Sequence, residues 1–204
     1  MGGVMSSVTI SGDTSGSIIL QAPSVAGSTT LTLPTTTGTL VTSNAMPTGS
    51  VLQVIQTVKT NVFSTSSTSW TDWTDMNATI TPSSSSNKIL ITLTSGVSND
   101  TANSFQYVKL VRGSTDIALG DASGPVTRCW IDGAFGNVAA LYDVTQKGLA
   151  GSFLDSPATT SPTTYKLQVI RTLSGIAYFG RTATTTDANR SSIPSVLTLM
   201  EIKG

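Results

Sequence analysis

The chain contains no histidine, one cysteine (Cys129) and one glutamate (Glu201). The absence of histidine removes the usual general base near neutral pH, the Ser-His and Cys-His nucleophile pairs, and the commonest transition-metal ligand. A lone cysteine makes no intrachain disulfide, so passage through an oxidising compartment is not implied. Arg128 flanks Cys129 and would lower its thiol pKa. Without a histidine partner, however, Cys129 reads as a small apolar filler. Charge is scarce too. Charged residues make up 11% of the chain, 11 basic against 11 acidic, for a formal net charge of zero. Ordinary soluble domains carry about 25%. No basic run exists to draw phosphate from a distance, which argues against nucleic acid as a partner. Apolar runs stop at about four residues, too short for a membrane span or the apolar region of a signal peptide. The opening MGGVMS fits a myristoylation pattern, but with no polybasic neighbour it reads as a small arm or docking peptide.

What is abundant is hydroxyl. Serine and threonine together number 64 of 204 residues, with threonine the larger share. A chain rich in Thr and Val and poor in Glu, Lys and Arg lacks the best helix formers and favours strands. The expected class is all-β. Before Lys59 the only charged residue is Asp13, and every aromatic lies between Phe63 and Phe179. The N-terminal region, 1–46, offers short strand candidates at 8–10, 18–20, 31–33 and 40–41, separated by turn formers such as SGDTSG at 11–16. So little bulk cannot close a core alone, and with no disulfide or metal cluster available, association of several copies is left to complete it.

The stretch SNAMPTGS (43–50) reads as a linker into a second domain, 47–204, which holds the aromatics and nearly all the charge. Alternation is clearest in KILITLT (88–94), TYKLQVI (164–170) and SVLTLMEI (195–202). VLQVIQTVK (51–59) tips to strand on its valines. Further strands are expected at 61–65, 77–81, 105–112, 115–119, 126–132, 137–142, 149–155 and 175–181. Turns are expected at 81–87, 95–104 and 154–162. This many short strands at such spacing predict a jelly-roll-like β-sandwich.

Chemistry is thin in these residues. Asp72 and Asp75 are the acids closest to a glycosidase pair, but residues three apart on a strand point to opposite faces and would diverge. Loops at 98–104 and 121–124 carry Asp and Asn oxygens of the kind calcium accepts. The same residues are ordinary turn makers, so no metal and no cofactor is expected. Trp70 and Trp73 could stack a sugar; core or interface bulk is the more economical reading. GAFG (133–136) lacks the strand-to-helix setting of a phosphate loop. The residues that suit binding lie in polar loops at 95–104, 121–126, 133–137 and 183–192. They are Asn99, Asp100, Asn103, Asp121, Asn137, Asp187, Asn189 and Arg190.

The residues SGSIILQAPSVAGSTTLTLPTTTGTLV (15–41), VFSTSSTSWTDW (62–73), ITPSSSSNKILI (80–91), VKLVRGSTDIALGDA (108–122), FLDSPATTSPTTYKLQVI (153–170) and SVLTLMEIKG (195–204) follow one another in the order seen in a known family. The succession resembles structural proteins of tailed bacteriophages, cyanophages and other marine phages in particular. The resemblance implies a homotrimeric virion protein with an intertwined N-terminal β stem that attaches to other virion proteins. A sandwich tip would then face outward. Polar loop residues held on a rigid sandwich, with no catalytic set beside them, add the expectation of host attachment, by saccharide, without catalysis. The alternatives are a capsid-decoration or head-fibre protein and, more remotely, a polysaccharide depolymerase.

Overall fold

The structure is a computed structural model that describes residues 7–11, 13–21, 35–36, 46–102, 104–133, 145–186, 188 and 190–204. Among them every regular element is a β-strand, and no helix is long and apolar enough to cross a membrane. The chain separates into two compact units, Met1–Thr42 and Ser43–Gly204. In the first, β1 (Ser7–Ser11) and β2 (Ser17–Gln21) form an antiparallel hairpin in the register Ser7↔Gln21 to Ser11↔Ser17. SGDTSG supplies its turn. Gly16 there has φ +83, a left-handed conformation open to glycine without a Cβ penalty. Ile10 and Ile19 are 55% and 58% exposed. The strands expected at 31–33, 40–41 and 137–142 lie outside the described residues.

The second unit is a sandwich of antiparallel sheets. Its strands are β3 (Val51–Lys59), β4 (Phe63–Thr65), β5 (Thr71–Ile80), β6 (Lys88–Asn99), β7 (Phe105–Arg112) and β8 (Thr115–Ile117). There follow β9 (Ile131–Asp132), β10 (Lys147–Asp155), β11 (Thr163–Thr172), β12 (Ala177–Phe179) and β13 (Ser195–Ile202). One sheet runs β3-β13-β6-β12-β4 with β10 also on β6; the other runs β5-β11-β7-β8 with β9 also on β7. Lys147 of β10 and Phe179 of β12 both pair with Val97, so β10 and β12 occupy opposite edges of β6. The long strands thus lie as β3-β13-β6-β10 over β5-β11-β7, and each passage from one long strand to the next crosses between the sheets. That is the winding of a jelly roll. Trp73, Met76, Leu93, Leu110, Tyr165, Leu167, Phe179 and Leu199 fill the interior between the sheets.

Three expected boundaries are corrected. β5 begins at Thr71 instead of 77, because a bulge keeps the TDWTDM segment in the sheet. Asp72 pairs with Gln168 and Asn77 with Lys166, so the residues between bow out of register. Asp75 adopts φ 65 within the bow, which lets both Trp73 and Met76 reach the core. β6 runs on to Asn99 through the residues expected to turn at 95–104. Ser95, Ser98 and Asn99 are small and polar enough to read as loop. They are nonetheless buried, and β10 and β12 complete their ladders. The strand expected at 126–132 contracts to Ile131–Asp132.

The outward face of the β3-β13-β6-β10 sheet is built from cross-strand rows. Val54, Met200, Leu90 and Leu154 stand side by side in one row. The next is Gln56, Thr198, Thr92 and Ser152, in which Gln56 donates to the Thr198 hydroxyl at 3.1 Å. The third is Val58, Val196, Thr94 and Ala150. Across the other sheet the corresponding rows read Asp72, Gln168, Lys109 and Asn77, Lys166, Val111.

β3 closes the sandwich on β5 through side chains. Thr57 donates to the Asn77 carbonyl at 2.7 Å, Gln53 to the Thr81 carbonyl at 2.8 Å, and Lys59 pairs with Asp75 at 3.0 Å. At the end of this seam sits Glu201, 1% exposed. Its carboxylate accepts from the Ser83 amide (2.7 Å) and hydroxyl (2.8 Å), Asn87 Nδ2 (2.5 Å) and Gln53 Nε2 (2.6 Å). Burial pushes its pKa up, but these donors outweigh that and hold it below the usual glutamate value. The only glutamate thus pins the serine-rich β5–β6 turn to the last strand.

Candidate binding surface

The structure distributes the sequence-predicted binding residues instead of gathering them. Asn99 is fully buried and its amide donates to the Ser104 carbonyl, so it closes a turn and presents nothing to solvent. Asp100 is exposed, but its Oδ1 is occupied by the Thr101 hydroxyl (2.9 Å) and the Ile176 amide (2.6 Å). Gly175, with φ +93, makes that approach possible: a Cβ there would run into the Asp100 carboxylate and the Thr101 side chain. Asp121 lies exposed in the β8–β9 connection. Asn103, Asn137, Asp187 and Asn189 lie outside the described residues. Arg190 is the one predicted residue that lines a described hollow.

That hollow lies in the β12–β13 connection and measures about 220 Å³. Arg181, Thr182, Thr185, Arg190, Ser191 and Ser192 line it. The connection leaves and rejoins the sheet at a closed neck: Ile193 N donates to Gly180 O at 2.8 Å and Thr182 N to Ser191 O at 3.1 Å. Arg181 is held in place before any ligand arrives. Its guanidinium lies 4.5 Å from the Tyr178 ring centroid, and Nη1 donates to the carbonyls of Thr182 and Ala183. Two guanidinium groups among four hydroxyl residues make a surface suited to a carboxylate or sulfate borne on a polyol. Sequence reading placed this loop at 183–192 and so missed Arg181. The signal was available: RTATTTDANRSS (181–192) has an arginine near each end of a hydroxyl-rich run.

A second hollow, about 330 Å³, lies beside the β10–β11 loop, between Arg112, Pro157, Thr159, Pro162 and Thr164. Its arginine is engaged elsewhere. Arg112 Nη1 donates to both Asp155 oxygens, at 2.9 and 2.8 Å, and the fully buried Tyr165 hydroxyl donates to Oδ2 at 2.7 Å. Burial and that carboxylate push the phenol pKa far up, so Tyr165 stays neutral. This trio ties three strands together and leaves its hollow with prolines and threonines.

The acids are likewise in use. The bulge overturns the premise that Asp72 and Asp75 must diverge: both are exposed. They are drawn to different neighbours all the same. Asp72 takes Gln168 Nε2 (2.7 Å) and Lys166 (3.0 Å) from β11, which lower its pKa, while Asp75 takes Lys59 from β3. No group of three His, Cys, Asp or Glu able to hold a metal occurs among the described residues. Cys129 corrects the expected influence of Arg128, whose Nε is turned to the Gly120 carbonyl at 2.6 Å. Partial burial, followed by the Asp132 charge, raises the thiol pKa, opposite to activation. The two tryptophans part company. Trp73 is 2% exposed and packs on Phe179 (4.4 Å) and Phe63 (6.2 Å), whereas Trp70 lies half-buried beneath Lys109, 4.4 Å from its ring centroid.

No protein-family model matches the chain, and no curated protein matches it. Among solved structures, it is similar to that of the infectious bursal disease virus Gx strain at 14% identity, over 74% of this chain and 36% of that one, with TM-score 0.38. The Gt strain gives 12% identity over 96% and 46%, with TM-score 0.40. The chain thus spans less than half the length of each. The jelly-roll assignment rests on the strand order above, not on this likeness.

Proposed function

We propose that this chain is a non-enzymatic structural protein of a tailed-phage particle, a homotrimeric fibre whose sandwich holds host-surface saccharide. The N-terminal region joins it to other virion proteins. The reading is supported by the family resemblance of its sequence. The observation that carries the saccharide is the Arg181–Arg190 hollow, where one guanidinium is fixed beforehand and hydroxyls surround it. Binding there is non-covalent, and threefold repetition raises a weak single-site affinity through effective concentration. A hydrolase would need two carboxylates across a groove at about 5 to 10 Å; Asp72, Asp75, Asp155 and Glu201 each serve a lysine, an arginine or a buried hydrogen-bond cluster.

The test is binding of the full chain to a uronate- or sulfate-bearing envelope polysaccharide, with a neutral dextran as control. Expected are retention on the acidic polymer, roughly 10- to 100-fold weaker binding for Arg181→Ala, and no release of reducing ends. Native-like binding by Arg181→Ala would remove the hollow from the reading. Cleavage of the polymer would replace it with a depolymerase. Absence of binding and cleavage alike would favour a capsid-decoration role, with the particle's own shell as ligand.

A further inference from the structure

We infer that one end of the sandwich interior is a binding site for a small oxoanion that carries a hydrogen of its own, of the kind of bicarbonate or hydrogen phosphate. The site is separate from the Arg181–Arg190 hollow and does not depend on the saccharide reading. It begins where the apolar core breaks off. Along β11 the inward positions are Tyr165, Leu167, Val169 and then Arg171; along β7 they are Leu110, Val108 and then Gln106. Arg171 and Gln106 are register partners, so an arginine and a glutamine stand side by side where the apolar rows would continue. In the other sheet the corresponding row is Thr65, Ala177 and Asn99. The rows are joined across the sandwich: Arg171 Nη2 donates to the Ser66 carbonyl at 2.6 Å, and Asn99 Nδ2 to the Ser104 carbonyl at 3.4 Å. The next row inward is apolar on both sides, with Phe63, Phe179 and Val97 in one sheet and Val169 and Val108 in the other.

These polar side chains are sealed in. Arg171 is 6% exposed, and Asn99 and Gln106 are 0% exposed. Beyond the Ser66 bond, the Nε and Nη1 of Arg171 are buried with no partner within the protein. No carboxylate among the described residues pairs with the guanidinium. Asn99 Oδ1 and Gln106 Oε1 are likewise buried and unpartnered. Their nitrogens are committed, Asn99 to the Ser104 carbonyl and Gln106 to the Ser104 hydroxyl at 2.9 Å, and that hydroxyl donates in turn to the Thr172 carbonyl at 3.3 Å. The amides are thus held with their oxygens as the free ends, beside the free donors of Arg171.

The chemistry of the layer selects its occupant. A guanidinium withdrawn from water is tolerated when it is both paired with a charge and hydrogen-bonded. Arginine keeps its charge in proteins, so the pairing charge has to come from outside the fold. Water can donate and accept but brings no charge. A halide brings charge but no hydrogen, and it would face two bare carbonyl oxygens. A hydrogen-bearing oxoanion accepts from Nε and Nη1 in charge-assisted bonds and donates to the amide oxygens. Bound there, it ties β11 and β7 to β6 at the end of the sandwich that carries the Asp100 turn.

The test is the melting temperature of the full chain near neutral pH in a Tris chloride buffer free of oxoanions. Bicarbonate or phosphate is raised through the millimolar range while sodium chloride holds the ionic strength constant. The native chain is expected to gain about 3–6 °C once the anion reaches roughly ten times its Kd. Gln106→Glu sets a carboxylate beside Arg171 on the neighbouring strand. It is expected to melt above the native chain in the oxoanion-free buffer and to lose the response to added anion. Arg171→Gln removes the charge and is expected to lose the response as well, so the test stands if one variant fails to fold; circular dichroism certifies the fold of each. Arg181→Ala, in the separate hollow, is expected to keep the full response. No rise with either anion in the native chain would overturn the inference and leave water to the buried layer. A rise that persists in either folded variant, or that disappears in Arg181→Ala, would also overturn it, because the anion would then bind elsewhere.

Discussion

The two outward faces of the sandwich are made from strands of similar length and alternation, yet they differ in kind. Over β5, β11 and β7 the outward positions carry Asp72, Lys166 and Lys109, with Asp116 on β8 completing the set. Lys109 bridges to Asp116 at 2.8 Å and also covers Trp70, so charge here shields apolar surface from water. Over β3, β13, β6 and β10 the same positions hold valine, methionine, leucine and threonine. Binary alternation fixes which residues turn outward; it leaves open what they meet there. A face laced with ion pairs is finished by solvent.

The largest effect should come from the core that both faces share. Trp73→Ala removes the ring packed on Phe63 and Phe179 and should cost about 3–5 kcal/mol, unfolding both faces together in a single thermal transition. Two separate transitions would show that the sheets do not share one cooperative core.

Next is the buried glutamate of β13. Glu201→Ala strips the acceptor from Ser83, Asn87 and Gln53 and should cost about 2–3 kcal/mol, read as a lowered midpoint in denaturant. Its pH dependence has a definite sign. The folded pKa lies below the unfolded value, so the stabilisation is fully present above the unfolded pKa of about 4.3. It is lost as pH falls through the folded pKa. Melting temperature of the native chain should therefore drop on acidification below about pH 4 more steeply than that of Glu201→Gln. Parallel curves would remove Glu201 as the cause.

The smallest effect belongs to the charged face. Asp72→Asn and Lys166→Gln should each change stability by no more than about 0.5 kcal/mol, because exposed pairs are screened by water and salt. Thermal melts at low and high salt should separate these variants from the native chain only slightly. A large loss in either would mean that this face, too, relies on its charges for folding.

Much of the sandwich was legible. TYKLQVI and SVLTLMEI announce half-buried strands because one face of each is apolar, and both occur where expected. The bulge in β5 was not legible, since two adjacent TDW-like steps give no local sign that Trp73 and Met76 will share a face. Nor was the far half of β6, where Ser95 and Ser98 look like turn residues until burial between neighbouring strands claims them. The binding residues were the least readable. Loop composition suggests Asn99 as readily as Arg190, but one is sealed inside and the other lines an open hollow. Arg181 was overlooked because a strand is expected over 175–181, whereas β12 stops at Phe179 and leaves Arg181 to line the hollow.

The position of β13 governs when this protein can become itself during synthesis. It is the last strand of the sandwich in chain order, and it lies between β3, the first strand of the sandwich, and β6. Until residues 195–202 emerge, β3 lacks its partner among the described strands, and β6 lacks the strand that flanks most of one edge. The sandwich therefore cannot finish folding before those residues emerge, and until then its nascent form carries open strand edges. The polar run TPSSSSN ahead of β6, and the scarcity of long apolar segments noted at the outset, keep that waiting chain soluble.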